Sequence, residues 1–374
     1  MEIKKVTLHQ VNIPFQYAIA HNLKSRSESS SIVIEIETYS GSKHYGEGTP
    51  RSYVIDEPSE SIKKVFEHYI GDIISTSGVK IEDIKAYSDK LSDEFLLPSL
   101  SSAIEIARLD MYGIENKLTL QNILSDKPVD LIPYSGVITV HSEADLLKYL
   151  RLIKSLKLKH IKIKVGTDRD EQNIIIARAI LGNDIDIRID ANRAWNYDAA
   201  VANILALQKY NISCVEEPLT VHDIDRLPQL AKAIGIPIML DESAYNITHA
   251  TKWISQVDPD KLILNLKISK CGGPLRASQL YNYAQKHDIS CQLGCNVGES
   301  AILSTVGRIF AQTHALSYLE GSYSKFFMKD DLSTQPLKFQ KGGIAEPILQ
   351  HGVGVHIIEN KMQEYSQEIA TYVN

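Results

Sequence analysis

The sequence predicts a TIM-type (β/α) barrel with an N-terminal α+β capping domain that the C-terminal tail completes. Three observations carry the prediction. Lys164, Asp190, Glu216, Asp241 and Lys267 recur at steps of 26, 26, 25 and 26 residues. Each closes a short apolar run and is followed by a stretch of helical periodicity, so the step measures one strand plus one helix. Eight strand-like runs follow one another from about residue 131, which suits a closed barrel of parallel strands better than an open sheet. The first 125 residues have a different grammar, with half-buried strands and then helices.

The N-terminal MEIKKVTLHQVNIPF alternates apolar and polar residues as a strand does. Residues 21–31 are polar and Ser-rich, include Lys24 and Arg26, and are expected to form a mobile loop. In SIVIEIETYSG, Ile32, Ile34 and Ile36 alternate with polar partners up to Gly41, which suggests a hairpin. From Ser101 to Asn116 a helix is expected to bury Ile104, Ala107, Met111 and Ile114 on one stripe. The barrel strands are IPYSGVI, HIKIKV, IDIRID, ISCVEE, PIMLDE, KLILNLK, ISCQLG and LSYLEG, with helical segments such as DRDEQNIIIARAIL between them. The expected division is a capping domain over 1–125, a catalytic barrel over 126–344, and a tail over 345–374 that returns to the cap.

Composition narrows the function. The 374 residues are 44% hydrophobic and 23% charged, with a net charge of -6, enough for a large core and without the basic excess that phosphate backbones attract. Nucleic acid is therefore excluded as a partner and a small molecule expected. The start lacks a signal peptide's apolar segment, and no apolar run approaches a membrane span. Cys214, Cys271, Cys291 and Cys295 form no zinc-like spacing and read as reduced thiols of a cytoplasmic protein.

Period-two alternation turns the spaced charges inward. Ile161, Ile163 and Val165 share a face opposite Lys162 and Lys164; Ile185, Ile187 and Ile189 lie opposite Asp186, Arg188 and Asp190; Lys267 lies opposite Leu262, Leu264 and Leu266. With the apolar faces against outer helices, the charges converge on the barrel's C-terminal mouth, an expensive place for an unpaired ion. Asp190, Glu216 and Asp241 then offer three hard oxygen ligands to one Mg²⁺. Lys164 and Lys267 flank the trio as two bases facing one carbon. The metal and the neighbouring ammonium of Lys162 would lower the pKa of Lys164 into a useful range.

These residues also carry a resemblance. Lys162-Ile163-Lys164, Asp190-Ala191-Asn192, Glu216-Glu217-Pro218, Asp241-Glu242-Ser243, and Lys267 with Ser269, Lys270, Gly272 and Gly273 resemble the ordered motifs of the enolase superfamily in its muconate-lactonizing branch. Gly46-Glu47-Gly48-Thr49-Pro50 resembles the branch's capping-domain motif. The resemblance implies a Mg²⁺-stabilised enolate formed by removing the proton α to a carboxylate, with Lys162, Asn192 and Glu242 in support, and it points to a homo-oligomer. Within the branch the pattern is most similar to epimerases of L-Ala-L-Glu type dipeptides from peptidoglycan. The alternatives are o-succinylbenzoate synthase, N-acylamino acid racemase and muconate-type cycloisomerase. By the same resemblance Lys24 or Arg26 would bind a distal carboxylate, while Cys295, Asn296 and Glu320 would line the substrate pocket. Two departures stand out. Tyr318-Leu319-Glu320 replaces the D-x-D that holds a dipeptide's ammonium, and Cys295-Asn296-Val297-Gly298-Glu299-Ser300 has one residue more than C-M-x-E-S.

Overall fold

The computed structural model describes residues 1–21, 24–74, 80–125, 127, 129–130, 132–140, 142–334 and 337–374. Its N-terminal part contains strands β1 (Ile3–Val11), β2 (Pro14–His21), β3 (Lys24–Glu28), β4 (Ser31–Thr38) and β5 (Lys43–Gly48). The barrel strands are β6 (Gly136–Ile138), β7 (His160–Lys164), β8 (Asp186–Asp190), β9 (Ile212–Glu216), β10 (Ile238–Leu240), β11 (Leu262–Leu266), β12 (Ser290–Leu293) and β13 (Tyr318–Leu319), and β14 (Ser366–Val373) ends the chain. The eight barrel strands pair in sequence order, all parallel. A parallel bridge from Tyr134 to Leu319 and the Ser135 amide donating to the Leu319 carbonyl join the first strand to the last. The barrel is closed, as the sequence predicts.

Between the strands lie outer helices with polar caps where the chain turns. Ser142 and Asn196 each accept a backbone N–H at the start of the helices Glu143–Leu156 and Tyr197–Gln208, satisfying groups that would otherwise be orphaned. Leu146, Leu150, Ala200 and Ile204 pack inward from these helices against Ile161, Ile163, Ile187 and Ile189, all fully buried. The apolar strand faces therefore meet the helices. The opposite faces, which carry Lys162, Arg188, Cys214, Glu216, Asn265 and Gln292, fill the barrel interior and are buried as well.

The cap is an antiparallel sheet in the order β14-β1-β4-β5, so the last strand of the chain pairs with the first, Val6 opposite Tyr372. The helix Pro98–Asn116 lies across this sheet. It is less amphipathic than expected: Leu100, Ala103, Ile106 and Leu109 are buried along with Ile104, Ala107 and Met111, whereas Ile114 is 44% exposed. Caught between the cap sheet and the barrel, the helix has no solvent face over most of its length. Residues 24–28 depart from the expected mobile loop. They form β3, antiparallel to β2 with Ile19 opposite Arg26 and His21 opposite Lys24, while Asn22 and Leu23 lie outside the described residues. The Ser-rich segment has little strand propensity of its own, and pairing with the aromatic and aliphatic β2 supplies the order.

β5 approaches the long helix with no side chain between them. A Cβ on Gly46 would strike the backbone at Ala103, and one on Gly48 the backbone at Ser99. Gly48→Ala should destabilise the protein by about 1–3 kcal/mol, seen as a lower urea midpoint; an unchanged midpoint would show that the helix can retreat freely.

Candidate active site

The parallel register sets the site. Lys164 on β7 stands beside Asp190 on β8, and Asp190 beside Glu216 on β9; Asp241 and Lys267 follow directly on the ends of β10 and β11. In a ring of eight strands β7 and β11 are four places apart, so Lys164 and Lys267 issue from diametrically opposite strands with the three carboxylates on the arc between them. Asp190, Glu216 and Asp241 are each 2% exposed.

Each of these carboxylates is matched by cations. Lys162 Nζ lies 3.0 Å from Glu216, 2.8 Å from Glu320 and 3.6 Å from Asp190. Lys164 lies 3.6 Å from Asp190 and donates to Asn192 Oδ1. Lys267 pairs with Asp241, to which Lys270 also donates at 2.7 Å. Burial alone would lower the Lys267 pKa and raise that of Asp241. Their mutual attraction, with Lys270 on Asp241 and with Glu242 and Glu216 on Lys267, outweighs burial and holds Lys267 above and Asp241 below the ordinary range. Lys162 is held charged in the same way. Burial opposes its charge, but Glu216, Glu320 and Asp190 together keep its pKa well above normal, and its field is spent on them.

With four lysines between them, the carboxylates are not gathered on one point; among the described residues no three Asp, Glu, His or Cys groups are. The donor set itself, three carboxylates on adjacent strands without a thiol or imidazole, has the chemistry of a small hard divalent cation site. Glu242, beside Asp241, is buried with Oε2 lacking a hydrogen bond. Burial, and then Asp241 and Glu217, push its carboxyl well above the usual range, toward the neutral form.

Sequence reasoning missed several members of this network. Asn265 donates to Glu216 at 2.8 Å, and Glu217 accepts from the amides of Asp241 and Ser243 at 2.8 and 2.7 Å, fixing the turn after β10. Asn192, Arg193 and Glu217 have φ of 45°, 61° and 40°, so non-glycine strain collects just beyond β8 and β9. The inward parity of Asn265, two residues before Lys267, was the available signal. No local pattern announced the strain.

The expected substrate-binding residues divide. Glu320 is 4% exposed; Oε2 pairs with Lys162 at 2.8 Å, and Oε1 lies 3.1 Å from the Arg188 cation without a hydrogen bond. Tyr318 is not at the mouth. Its hydroxyl reaches down to Asp186 at the start of β8, at 3.1 Å, and its ring lies 4.2 Å from the Arg188 guanidinium. Cys295 lines a small pocket with Tyr134, Glu299, Glu320 and Ser322. Asn296 is taken up by the fold: its side chain donates to Thr49 at 2.8 Å and its amide to Glu299 at 2.6 Å. It frames the pocket and does not face it. Arg26 is partly buried and its Nη1 has no hydrogen-bond partner, while the Lys24 side chain lies outside the described residues.

A family described as "Enolase C-terminal domain-like" matches residues 146–361. The hydrophobic dipeptide epimerase of Enterococcus faecalis is 30% identical over 306 residues, 81% of this chain and 84% of that one. The N-succinyl-L-Arg/Lys racemase of Bacillus cereus is 27% identical over 97% of this chain and 98% of its own length. The crystal structure of a dipeptide epimerase from Cytophaga hutchinsonii, complexed with Mg and the dipeptide D-Ala-L-Val, superposes with a TM-score of 0.87 at 25% identity, covering 100% of both chains. The chain belongs to the enolase superfamily and is an isomerase of its racemase and epimerase enzymes.

One buried acid beside the pocket gives the site a pH signature. Burial raises the Glu299 carboxyl to about 8, against the opposing hydrogen bond from the Asn296 amide. Between the ordinary carboxyl value and about 8 the folded protein therefore keeps a proton that the unfolded chain has released, and stability falls as pH rises through that window. Glu299→Gln stays neutral and should lose less stability than the parent from about pH 5 to about pH 8. Equal slopes of thermal midpoint against pH would refute this.

Proposed function

We propose that this superfamily member inverts the α-carbon of an N-acylated amino acid, the C-terminal residue of a small dipeptide such as L-Ala-L-Glu, by proton transfer between Lys164 and Lys267. The observation that carries the reading is the pair of lysines on opposite strands of one barrel, with carboxylates along the arc between them. An α-carbon held on the barrel axis presents one face to each lysine. One removes the proton and the other returns it from the far side, which inverts the centre.

Asp190, Glu216 and Asp241 would hold Mg²⁺. Bound there, the ion supplies positive charge against which an enolate is stabilised. The chain's residues do the rest. Asn192 accepts from Lys164 and fixes where its ammonium points. Asp241 does the same for Lys267 and is itself kept ionised by Lys270. Arg26, with an unpaired Nη1, supports recognition of a distal carboxylate such as a Glu side chain.

A second reading concerns the acyl end. Glu320 is spent on Lys162 and Arg188, and Tyr318 turns to the barrel floor, so no acid at these two positions is free for a substrate ammonium. This favours an N-acylamino acid with an uncharged or acidic acyl group, in keeping with the Bacillus cereus relative's substrate.

Incubation in D₂O with Mg²⁺ should place deuterium at the α-carbon of L-Ala-L-Glu or of N-succinyl-L-lysine, read by NMR. Faster exchange of the succinyl compound would establish the second reading, and no exchange with any dipeptide or N-acylamino acid would sink both. Lys164→Ala and Lys267→Ala should each slow inversion by at least about 10²-fold while each still exchanges the α-proton of one enantiomer, opposite in the two variants. Loss of both enantiomers' exchange in both would argue against two separate bases. Chelation should abolish exchange and Mg²⁺ restore it; exchange that survives exhaustive chelation would remove the metal from the mechanism.

A further inference from the structure

The hairpin that carries Arg26 and the loop that carries Cys295 and Glu299, both assigned to substrate recognition by the function proposed above, are tied together by a short stretch of the cap. Glu47, Thr49 and Arg51 alternate along the chain, and each holds a part of the loop 295–300. Glu47, fully buried, accepts from the Ser300 amide at 3.0 Å, the Ser300 hydroxyl at 2.7 Å and the Leu303 amide at 3.2 Å. Thr49 accepts from the Asn296 side chain. Arg51, 4% exposed, donates to the Val297 carbonyl at 3.0 Å.

Arg51 differs from the other two because its second nitrogen turns the other way. Nη1 donates to the Ser30 carbonyl at 2.7 Å, just beyond β3, and to its own turn at Pro50, also at 2.7 Å. Ser29 in turn anchors the hairpin base, its hydroxyl accepting from the Ile13 amide at 2.8 Å. The loop also touches the hairpin directly. Gly298, at φ 94°, leaves room where a Cβ would come within 3.0 Å of Ser29 and 3.2 Å of Phe15.

We propose that Arg51 is a positioning residue that locks the β2–β3 hairpin, which carries Arg26, to the loop that carries Cys295 and Glu299, so that the two walls of the pocket move as one. A planar guanidinium can serve three carbonyls of three segments at once; a single ammonium has neither the span nor the fixed fork. That these walls enclose the substrate rests on the function proposed above, but their coupling does not.

The test uses hydrogen–deuterium exchange on the full chain, read for peptides covering 12–16, 28–31 and 295–303. Arg51→Met should raise exchange in the hairpin base and the loop together. Thr49→Val, which cuts only the Asn296 contact, should raise it in the loop alone. Arg51→Lys should loosen both walls to a smaller degree and decides the matter if Arg51→Met does not fold. Loosening of one wall only in the Arg51 variants, or of both in Thr49→Val, overturns the proposal. Where the protein turns over L-Ala-L-Glu or N-succinyl-L-lysine, Arg51→Met should raise KM about tenfold with kcat nearly kept, and a loss confined to kcat overturns it. Absence of turnover with any dipeptide or N-acylamino acid refutes the proposed function and leaves the exchange result to decide the coupling.

Discussion

Charge neutrality inside a closed barrel is the constraint on which this structure depends. Asp190, Glu216, Asp241 and Glu320 sit at or near strand ends with almost no exposure, where an isolated carboxylate would cost several kcal/mol. Lys162, Lys164, Lys267, Lys270 and Arg188 meet them at contact distance. Arg188 shows how far the consequence spreads. Besides Glu320 it donates to Ser135 and Gln292 and lies over Tyr318, so that one side chain on β8 touches the strands on both sides of the closure. Neutralising the mouth and closing the ring are done by the same atoms. Removing one partner strands a buried charge, which is why such pairs persist even where their net contribution to stability is small.

Around that centre the molecule divides its work. The barrel strands set Lys164, Asp190 and Glu216 side by side through register, a property of backbone pairing that side-chain change hardly alters. The cap sets the pocket's rim through long-range side-chain contacts, of which Glu47 on the first turn of the helix Ala301–Ala311 is the most buried. That helix start follows the seventh barrel strand, where barrel folds often receive an anion. Here the amides of Ser300, Ala301 and Leu303 are already taken by Glu47 and Asp331. The position serves to join cap to barrel.

Much of this was legible in the chain and the reasons are physical. Five charged residues one β/α unit apart, each at the inward phase of an alternating strand, can be placed in a barrel without coordinates because strand parity and repeat length are both local properties. Asn265 and Gln292 had the same inward parity, but parity says where a side chain goes and not what it meets. The hairpin is not legible in KSRSE, because that segment is ordered by its partner strand. Ile114 was expected inside because its spacing fits the helical stripe, yet it lies near the end of the helix, where covering elements stop. The ties from Glu47, Thr49 and Arg51 link residues about 250 positions apart in sequence, and nothing in either segment encodes the other. Tyr318 is the instructive case. It reads as the loss of an ammonium ligand, and the structure gives it a separate occupation, holding Asp186 and covering Arg188 on the barrel floor.

Gly298 bears on how such an enzyme can change over generations. An added residue within a barrel strand would invert the phase of everything beyond it, turning a buried inward charge such as Asp190 out among the helices. The loop 295–300 holds one residue more than the family pattern it resembles, and a glycine at φ 94° turns the longer chain back beneath the hairpin. A residue added to this loop is absorbed by a glycine turn, whereas one added within a strand would reverse its inward face.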